Sequence, residues 1–225
     1  MDDEALFSSL RDRLFTAVVG DVLDKLGRRR QFLPQAIGPL RADMKIVGRA
    51  MPVLEADVFD DDSGCSRGPL GKPFGLMLEA LDDLRPGEVY VATGGSLRYA
   101  LWGELMSTRA RFLRAAGAVL NGFVRDAAGI EALNFPTFCL GLYAQDQGPR
   151  GKVIDFRTPI EIEGVRIAPG DLIFGDREGV LVIPAEVEGE AVAAALAKAS
   201  TENEVAAAIR GGMSARQAFE TFGVL

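Results

Sequence analysis

The chain has 225 residues, enough to bury one sizeable core, and its 48% hydrophobic and 25% charged residues are those of an ordinary globular protein, not a disordered or fibrous one. Its 25 basic and 32 acidic residues give a formal charge of -7, interspersed in sign, which disfavours nucleic-acid binding. Histidine is absent altogether; that excludes Ser-His-Asp and Cys-His catalysis and nearly all histidine-ligated metal sites, and leaves acid, base and ligand roles to carboxylates, lysine, tyrosine and water on an oxygen-ligated Mg²⁺ or Mn²⁺.

The N-terminus, Met1-Asp2-Asp3-Glu4, carries the wrong charge for a signal or transit peptide, and no uninterrupted apolar stretch is long enough to span a bilayer, so a cytoplasmic location with no membrane partner is expected. From Thr16, read as an N-cap, Val19, Val22, Leu23 and Leu26 recur at helical spacing until Gly27 stops the pattern. Arg28-Arg29-Arg30 follows that helix end, where cations complement the dipole and stay solvated; an RNA or protein contact is the competing reading. Lys45 to Leu54 reads as a strand broken by Gly48 and Pro52. Asp60 to Lys72 reads as a loop whose acids, Asp60-Asp61-Asp62, form a solvated turn in preference to a cation site. Pro73 then opens a second helix with Phe74, Met77, Leu78 and Leu81 on one face. Cys65 and Cys139 lack any paired spacing, so neither a disulfide framework nor a zinc knuckle is indicated, and Cys139 reads as a small buried hydrophobe.

Arg85-Pro86-Gly87-Glu88 is a turn that delivers a strand, Val89 to Ala92, and a similar phrase recurs at Ala168-Pro169-Gly170-Asp171. A helix over about 101–116 and strands near 118–123 and 137–142 give β-α-β alternation, and Ile160 to Pro184 is β-rich. The remainder, 185–225, is helical, interrupted at Gly211-Gly212 and resumed after Ser214 with Ala215, Ala218, Phe219 and Phe222 on one face; it either covers the core or reaches a neighbouring subunit. The expected fold is α/β, one domain over 1–225 with helices packed on sheets.

Two segments carry chemistry. In Gly117 to Glu131 an apolar strand ends in Arg125-Asp126; arginine offers a planar fork for a carboxylate or enolate, and the adjacent carboxylate suits a divalent cation. Alone, such a pair is more readily a structural ion pair or a capped turn than a site. The second segment runs from Gly94-Gly95 through Trp102-Gly103-Glu104-Leu105-Met106, where glycines permit close backbone approach and a following helix N-terminus presents free N–H groups to an anion. Helix and strand together return the chain so that Glu104, Arg125 and Asp126 share a site.

At these residues the sequence resembles the RraA-like proteins, which include regulators of ribonuclease activity and 4-hydroxy-4-methyl-2-oxoglutarate aldolases, some formerly labelled menaquinone methyltransferases. The resemblance spans almost the whole chain: residues 20–27 (GDVLDKLG), Trp102-Gly103-Glu104, residues 121–126 (NGFVRD), Pro169-Gly170-Asp171 and residues 179–184 (GVLVIP), in that order. It implies an α/β sandwich of the swivelling, phosphohistidine-like domain type, assembled as a homotrimer or homohexamer with sites between subunits. It implies Mg²⁺ or Mn²⁺ held at Asp126, Arg125 on the substrate, and backbone contacts to a pyruvyl carboxylate from Gly103, Glu104, Leu105 and Met106. Glu104 stands where the aldolases have aspartate. The family lysine maps to Lys152, with Arg150 the alternative, and a C-terminal glutamate maps to Glu202, with Glu204 the alternative.

The activity so implied is a class II-type, metal-dependent carbon–carbon lyase that cleaves 4-hydroxy-4-methyl-2-oxoglutarate or a related 4-hydroxy-2-oxo acid to pyruvate, with oxaloacetate decarboxylase activity beside it. No Schiff-base lysine is needed. A non-catalytic regulator that binds a ribonuclease or another protein is the alternative. A methyltransferase is not supported, because Gly94-Gly95 alone is ordinary turn chemistry.

Overall fold

The computed structural model describes residues 3–58 and 68–224; the acidic run Asp60-Asp61-Asp62 and Cys65 lie outside them. In chain order the elements are helices α1 (Asp3–Arg13) and α2 (Thr16–Lys25), strands β1 (Gly38–Pro39) and β2 (Ile46–Asp57), helix α3 (Met77–Asp82), strands β3 (Glu88–Thr93) and β4 (Ala100–Trp102), and helix α4 (Glu104–Phe112). Strands β5 (Gly117–Leu120) and β6 (Phe123–Val124), helix α5 (Ala127–Ala132), and strands β7 (Thr137–Cys139), β8 (Gly141–Leu142), β9 (Gly151–Phe156), β10 (Ile160–Ile162), β11 (Val165–Ile167), β12 (Leu172–Asp176) and β13 (Gly179–Ile183) follow. Helices α6 (Glu188–Arg210) and α7 (Ala215–Phe222) close the chain.

The main sheet runs β1-β7-β5-β3-β2-β12-β13, with β9 also paired to β2. Its centre, β7-β5-β3-β2, is parallel, while β1, β9, β12 and β13 join antiparallel. The sheet nearly closes on itself. Segment 31–40 lies along both of its ends: Leu33 N donates to Val180 O at 2.9 Å and Val182 N to Gln31 O at 2.8 Å, and Leu40 N donates to Thr137 O at 2.8 Å.

Side-chain alternation divides the apolar residues into three groups. Ile46, Ala50, Val89, Val91, Val119, Phe138, Ile173, Val180 and Val182 fill the inner face, joined there by the β10–β11 hairpin. On the outer face, Val47, Phe174, Leu181 and Ile183 pack under α1, α2 and α6, and Met51, Val53, Tyr90, Ala92, Ala118 and Leu120 pack under α3, α4 and α5. Burial on both faces explains why β3 and β5 read as unbroken apolar runs. Cys139 is one of the buried hydrophobes, and burial pushes its thiol up, away from nucleophilic use. The Arg28-Arg29-Arg30 cluster is exposed, with Arg28 3.4 Å from Glu186. Helix α6 covers the core of this same chain through Ala191, Val192, Ala195 and Ala199, and a Ser214–Gln217 capping box starts α7.

Local readings needed correction in three places. Thr16 is the first helical residue, not the cap: Phe15 holds the extended N-cap position without a side-chain bond. Buried Asp176, 160 positions away, accepts from both Thr16 N and Thr16 Oγ1 at 2.8 Å. The second helix starts at Met77, not Pro73, because Phe74 and Gly75 adopt positive φ, Phe74 O accepts from Val153 N of β9, and Leu76 N donates to Val153 O. The third helix is confined to Glu104–Phe112: Ala100–Trp102 is a strand, captured by parallel pairing with β6, and Arg114 at φ 61 ends the helical stretch before Ala116.

Asp176 thus ties α2 to the sheet and also accepts from Glu178 N at 2.9 Å. Asp176→Ala is expected to cost about 3 kcal/mol in urea unfolding, since charge-assisted bonds to buried donors are lost and those donors are left unpaired; a loss under about 0.5 kcal/mol would contradict this role.

Candidate functional site

The parallel strands β3, β5 and β7 each lead, at their carboxyl ends, into a second, small parallel sheet of order β4-β6-β8. The steps are short: Asn121-Gly122 between β5 and β6, and Leu140 between β7 and β8. An Asn121 Nδ2 bond to Thr93 Oγ1 at 3.0 Å ties two of the strand ends together. Because Trp102 of β4 lies opposite Val124 of β6, the next residues, Gly103-Glu104 and Arg125-Asp126, emerge side by side, and Arg125 N donates to Trp102 O at 3.0 Å. A crevice outside the carboxyl ends of parallel strands is where open α/β sheets place their ligands.

Asp126 sits in the left-handed region (φ 55, ψ 36) as the residue that starts α5, a conformation aspartate tolerates better than most side chains. Its carboxylate lies over Gly103: a β-carbon there would come 2.9 Å from Asp126 Oδ2 and 3.4 Å from Arg125 Cγ. Gly103, in extended backbone, starts α4, whose first-turn N–H groups have no acceptor within the helix. Ser107 fixes that turn, accepting from Trp102 Nε1 at 2.6 Å and donating to Gly103 O at 3.1 Å. Arg125 bridges two carboxylates, with Nε 3.7 Å from Asp126 Oδ2 and Nη1 2.9 Å from Asp146 Oδ1, and all three side chains are partly open to solvent.

These groups form one end of a cavity of about 330 Å³. Phe74, Met77, Leu78, Leu81, Leu101, Trp102 and Met106 make its apolar wall, and Arg125, Asp126, Asp146 and Gln147 its polar end. A small anionic molecule with an apolar body suits that division. A second recess of about 230 Å³, lined by Ala127, Leu142 and Tyr143, opens on the other side of the Arg125-Asp126 pair.

Of the residues singled out in the sequence, Gly103, Leu105, Met106, Arg125 and Asp126 all line the cavity. Glu104 is adjacent but exposed, and its carboxylate rests against α5, where a β-carbon on Gly129 would overlap it. Lys152 lies on β9 with its ammonium bonded to the Leu70 carbonyl. Arg150 comes closer to the polar end, Nη1 donating to Asp146 O at 3.0 Å. Glu202 lies on α6, paired with Lys198 at 2.8 Å, beside Asp21 of α2 and away from the cavity of its own chain; Glu204 is exposed on the same helix.

Three residues at the site escaped the sequence reading: Asp146 and Gln147 at the polar end, and Glu55 behind them. Asp146 and Gln147 follow β8 as Arg125 follows β6 and Gly103 follows β4, so their signal was position after a third strand end. Among the described residues no group of three or more acidic or cysteine side chains converges as a metal cage. The donor set fits a hard cation differently: of the two accessible carboxylates at the polar end, Asp126 and Asp146, the first faces a glycine, so no side chain fills the space beside it.

Comparison with known proteins adds independent information. A family model described as RraA-like, Aldolase/RraA, matches residues 16–182. The chain is 32% identical over 205 residues to a Halalkalibacterium halodurans protein named "Putative 4-hydroxy-4-methyl-2-oxoglutarate aldolase", covering 91% of this chain and 89% of that protein. It is also 32% identical over 208 residues to "Protein DlpA" of Legionella pneumophila, covering 92% of this chain but only 32% of that longer protein. Among solved structures, Streptomyces coelicolor RraAS2, described as an unusual member of the RNase ES inhibitor RraA protein family, superposes with a TM-score of 0.75 at 25% identity, covering 90% of this chain and 96% of that one. No helix among the described residues is long and apolar enough to cross a membrane.

Proposed function

The chain belongs to the RraA-like, Aldolase/RraA family, and from that premise we propose that it is a metal-dependent carbon–carbon lyase acting on a 4-hydroxy-2-oxo acid, 4-hydroxy-4-methyl-2-oxoglutarate or a relative, with oxaloacetate as a second substrate. The observation that carries this reading is the placement of Arg125 and Asp126 beside the α4 N-terminus at one end of an otherwise apolar cavity. In this reading the substrate carboxylate meets the N–H groups of Glu104, Leu105 and Met106, and Arg125 lies beside the 2-oxo group. Asp126 would hold Mg²⁺ or Mn²⁺, which would supply Lewis-acid polarisation of the 2-oxo group.

Cleavage breaks C3–C4: the 4-hydroxyl gives up its proton as the new carbonyl forms, the bonding pair becomes the pyruvate enolate, and C3 is then protonated. Arg125 stabilises the charge on the enolate oxygen, and Asp146 holds the far side of its guanidinium in place. Glu104 orients the water that moves the protons. Lys152, or Arg150 in its place, meets the substrate, and Glu202, or Glu204 in its place, reaches the pocket from a neighbouring subunit of a homotrimer or homohexamer. The whole chain, 1–225, acts as one domain of the swivelling type in the cytoplasm.

The test is pyruvate formation from a panel of 4-hydroxy-2-oxo acids and oxaloacetate, with and without Mg²⁺ or Mn²⁺. Activity undiminished in EDTA rejects the metal, and no pyruvate from any substrate rejects the lyase. Gly103→Ala, which brings a methyl group to within 2.9 Å of Asp126 Oδ2, is expected to lower kcat/KM about tenfold or more without unfolding the protein. The likeness to RraAS2 favours a second reading, a regulator that binds a ribonuclease through its surface. Inhibition of ribonuclease turnover by both wild-type protein and Arg125→Ala would support that role.

A further inference from the structure

Glu55 takes no part in the reaction above, yet it lies directly behind the pocket. It lies late in β2 on the same buried face as Met51 and Val53, opposite a bulge in β9 where Ile154 is skipped between Asp155, paired with Leu54, and Val153, paired with Glu55. The residue is 2% exposed. Its Oε2 accepts from Gln147 Nε2 at 2.7 Å, while among the described residues its Oε1 has no hydrogen-bond partner, and neither does the buried hydroxyl of Tyr90. Both neighbours lead to the cavity. Gln147 is part of its polar end next to Asp146, and the Tyr90 ring lies 4.8 Å from that of Trp102 in the cavity wall.

The groups around Glu55 offer it no counter-charge. On its own strand, Asp57 is held at about 2, hydrogen bonds from Ser96 N, Arg98 and Tyr99 outweighing its desolvation. From β3 comes Tyr90, which burial and then the charge on Glu55 push up. Tyr99, on the segment before β4, is pushed up by burial and by its bond to Asp57. In the loop after β8, Asp146 pairs with Arg125 beyond Gln147, and on β9 the Lys152 ammonium is turned to the Leu70 carbonyl. Burial accordingly pushes the Glu55 carboxyl up to about 8, so it is largely neutral at pH 7.

We propose that Glu55 is a positioning residue that, as a neutral carboxylic acid, holds Gln147 in the pocket wall, and that its ionisation sets a negative charge behind the pocket which weakens binding of an anionic oxo acid. The second half rests on the oxo-acid reading of the site. Since the acid form prevails below about 8, anion affinity is full there and falls as pH rises through that value.

The experiment combines KM against pH for the metal-loaded enzyme with infrared difference spectra between about pH 7 and about pH 10, where ordinary carboxylates stay ionised and only a protonated carboxyl shows a titrating C=O band. Wild type is expected to lose that band and to raise KM roughly tenfold with little change in kcat. Glu55→Gln, which keeps a neutral acceptor for Gln147, is expected to lack the band and to hold the low-pH KM throughout. Gln147→Met removes the donor and serves as a second variant, expected to shift the band and to raise KM already at pH 7. An absent band in wild type, or a KM that climbs alike in wild type and Glu55→Gln, overturns the role of Glu55. A titrating band with neither turnover nor pyruvate binding at any pH instead overturns the oxo-acid reading, and with it the binding half of the proposal.

Discussion

Arg125→Ala is expected to lower kcat/KM for pyruvate release by about a thousandfold, at the upper end of what loss of one preorganised positive group at a developing oxyanion produces. The size follows from its surroundings. Arg125 lies between Asp126 and Asp146, and in the proposed lyase its removal takes away the guanidinium that separates those two carboxylates and faces the anionic substrate. Arg125→Lys keeps one charge but loses the planar fork, so it should recover only part of the loss. Asp126→Asn separates charge from shape: asparagine also tolerates the left-handed backbone at this position, so the turn into α5 should survive while the response to Mg²⁺ or Mn²⁺ disappears. Steady-state kinetics with and without metal, on variants whose circular dichroism matches wild type, decides the matter; Arg125→Ala within a few-fold of wild type would remove this residue from the chemistry.

The second large effect concerns stability. In the folded chain Glu55 binds its proton up to about 8, whereas its ordinary value is 4.5. Its proton therefore contributes stability that is fully present below about 4.5 and is lost progressively as pH rises to about 8. The interval corresponds to roughly 5 kcal/mol. Glu55→Gln carries no such proton, so its unfolding free energy relative to wild type should climb between about pH 5 and pH 8 and level off above. Urea unfolding at three pH values across that window measures the divergence directly. Parallel curves for the two proteins would show that Glu55 ionises as an exposed carboxylate does.

The sequence was most informative where local pattern and tertiary demand agree. The spacing from Val19 to Leu26 marked α2, and the turn at Pro86-Gly87 marked the start of β3. It misled where distant pairing decides the outcome: Leu101 and Trp102 fit a helical face, but β6 captures them as a strand. Phe74 follows a proline suited to a helix start, yet its backbone is claimed by β9. At the site, Gly103, Leu105, Met106, Arg125 and Asp126 were legible because two contiguous motifs carry them, and parallel strands bring those motifs together. Asp146 and Gln147 belong to a loop with no motif, and their role depends on a third strand ending at the same place. Glu55 had no local mark at all, since a glutamate late in a strand ordinarily faces water, whereas here it continues the buried face of Met51 and Val53. Glu202 is the opposite case, a residue named by resemblance that its own chain keeps on α6.

The near closure of the sheet bears on how copies of the chain meet. Strand ends with free N–H and C=O rows are templates for pairing with another molecule. Here Gln31 and Leu33 occupy the outer row of β13, while β1 and Leu40 occupy that of β7. Among the described residues the main sheet thus presents no long vacant edge at either end, which protects it from edge-to-edge aggregation. A continuous intermolecular sheet through these two ends is thereby blocked.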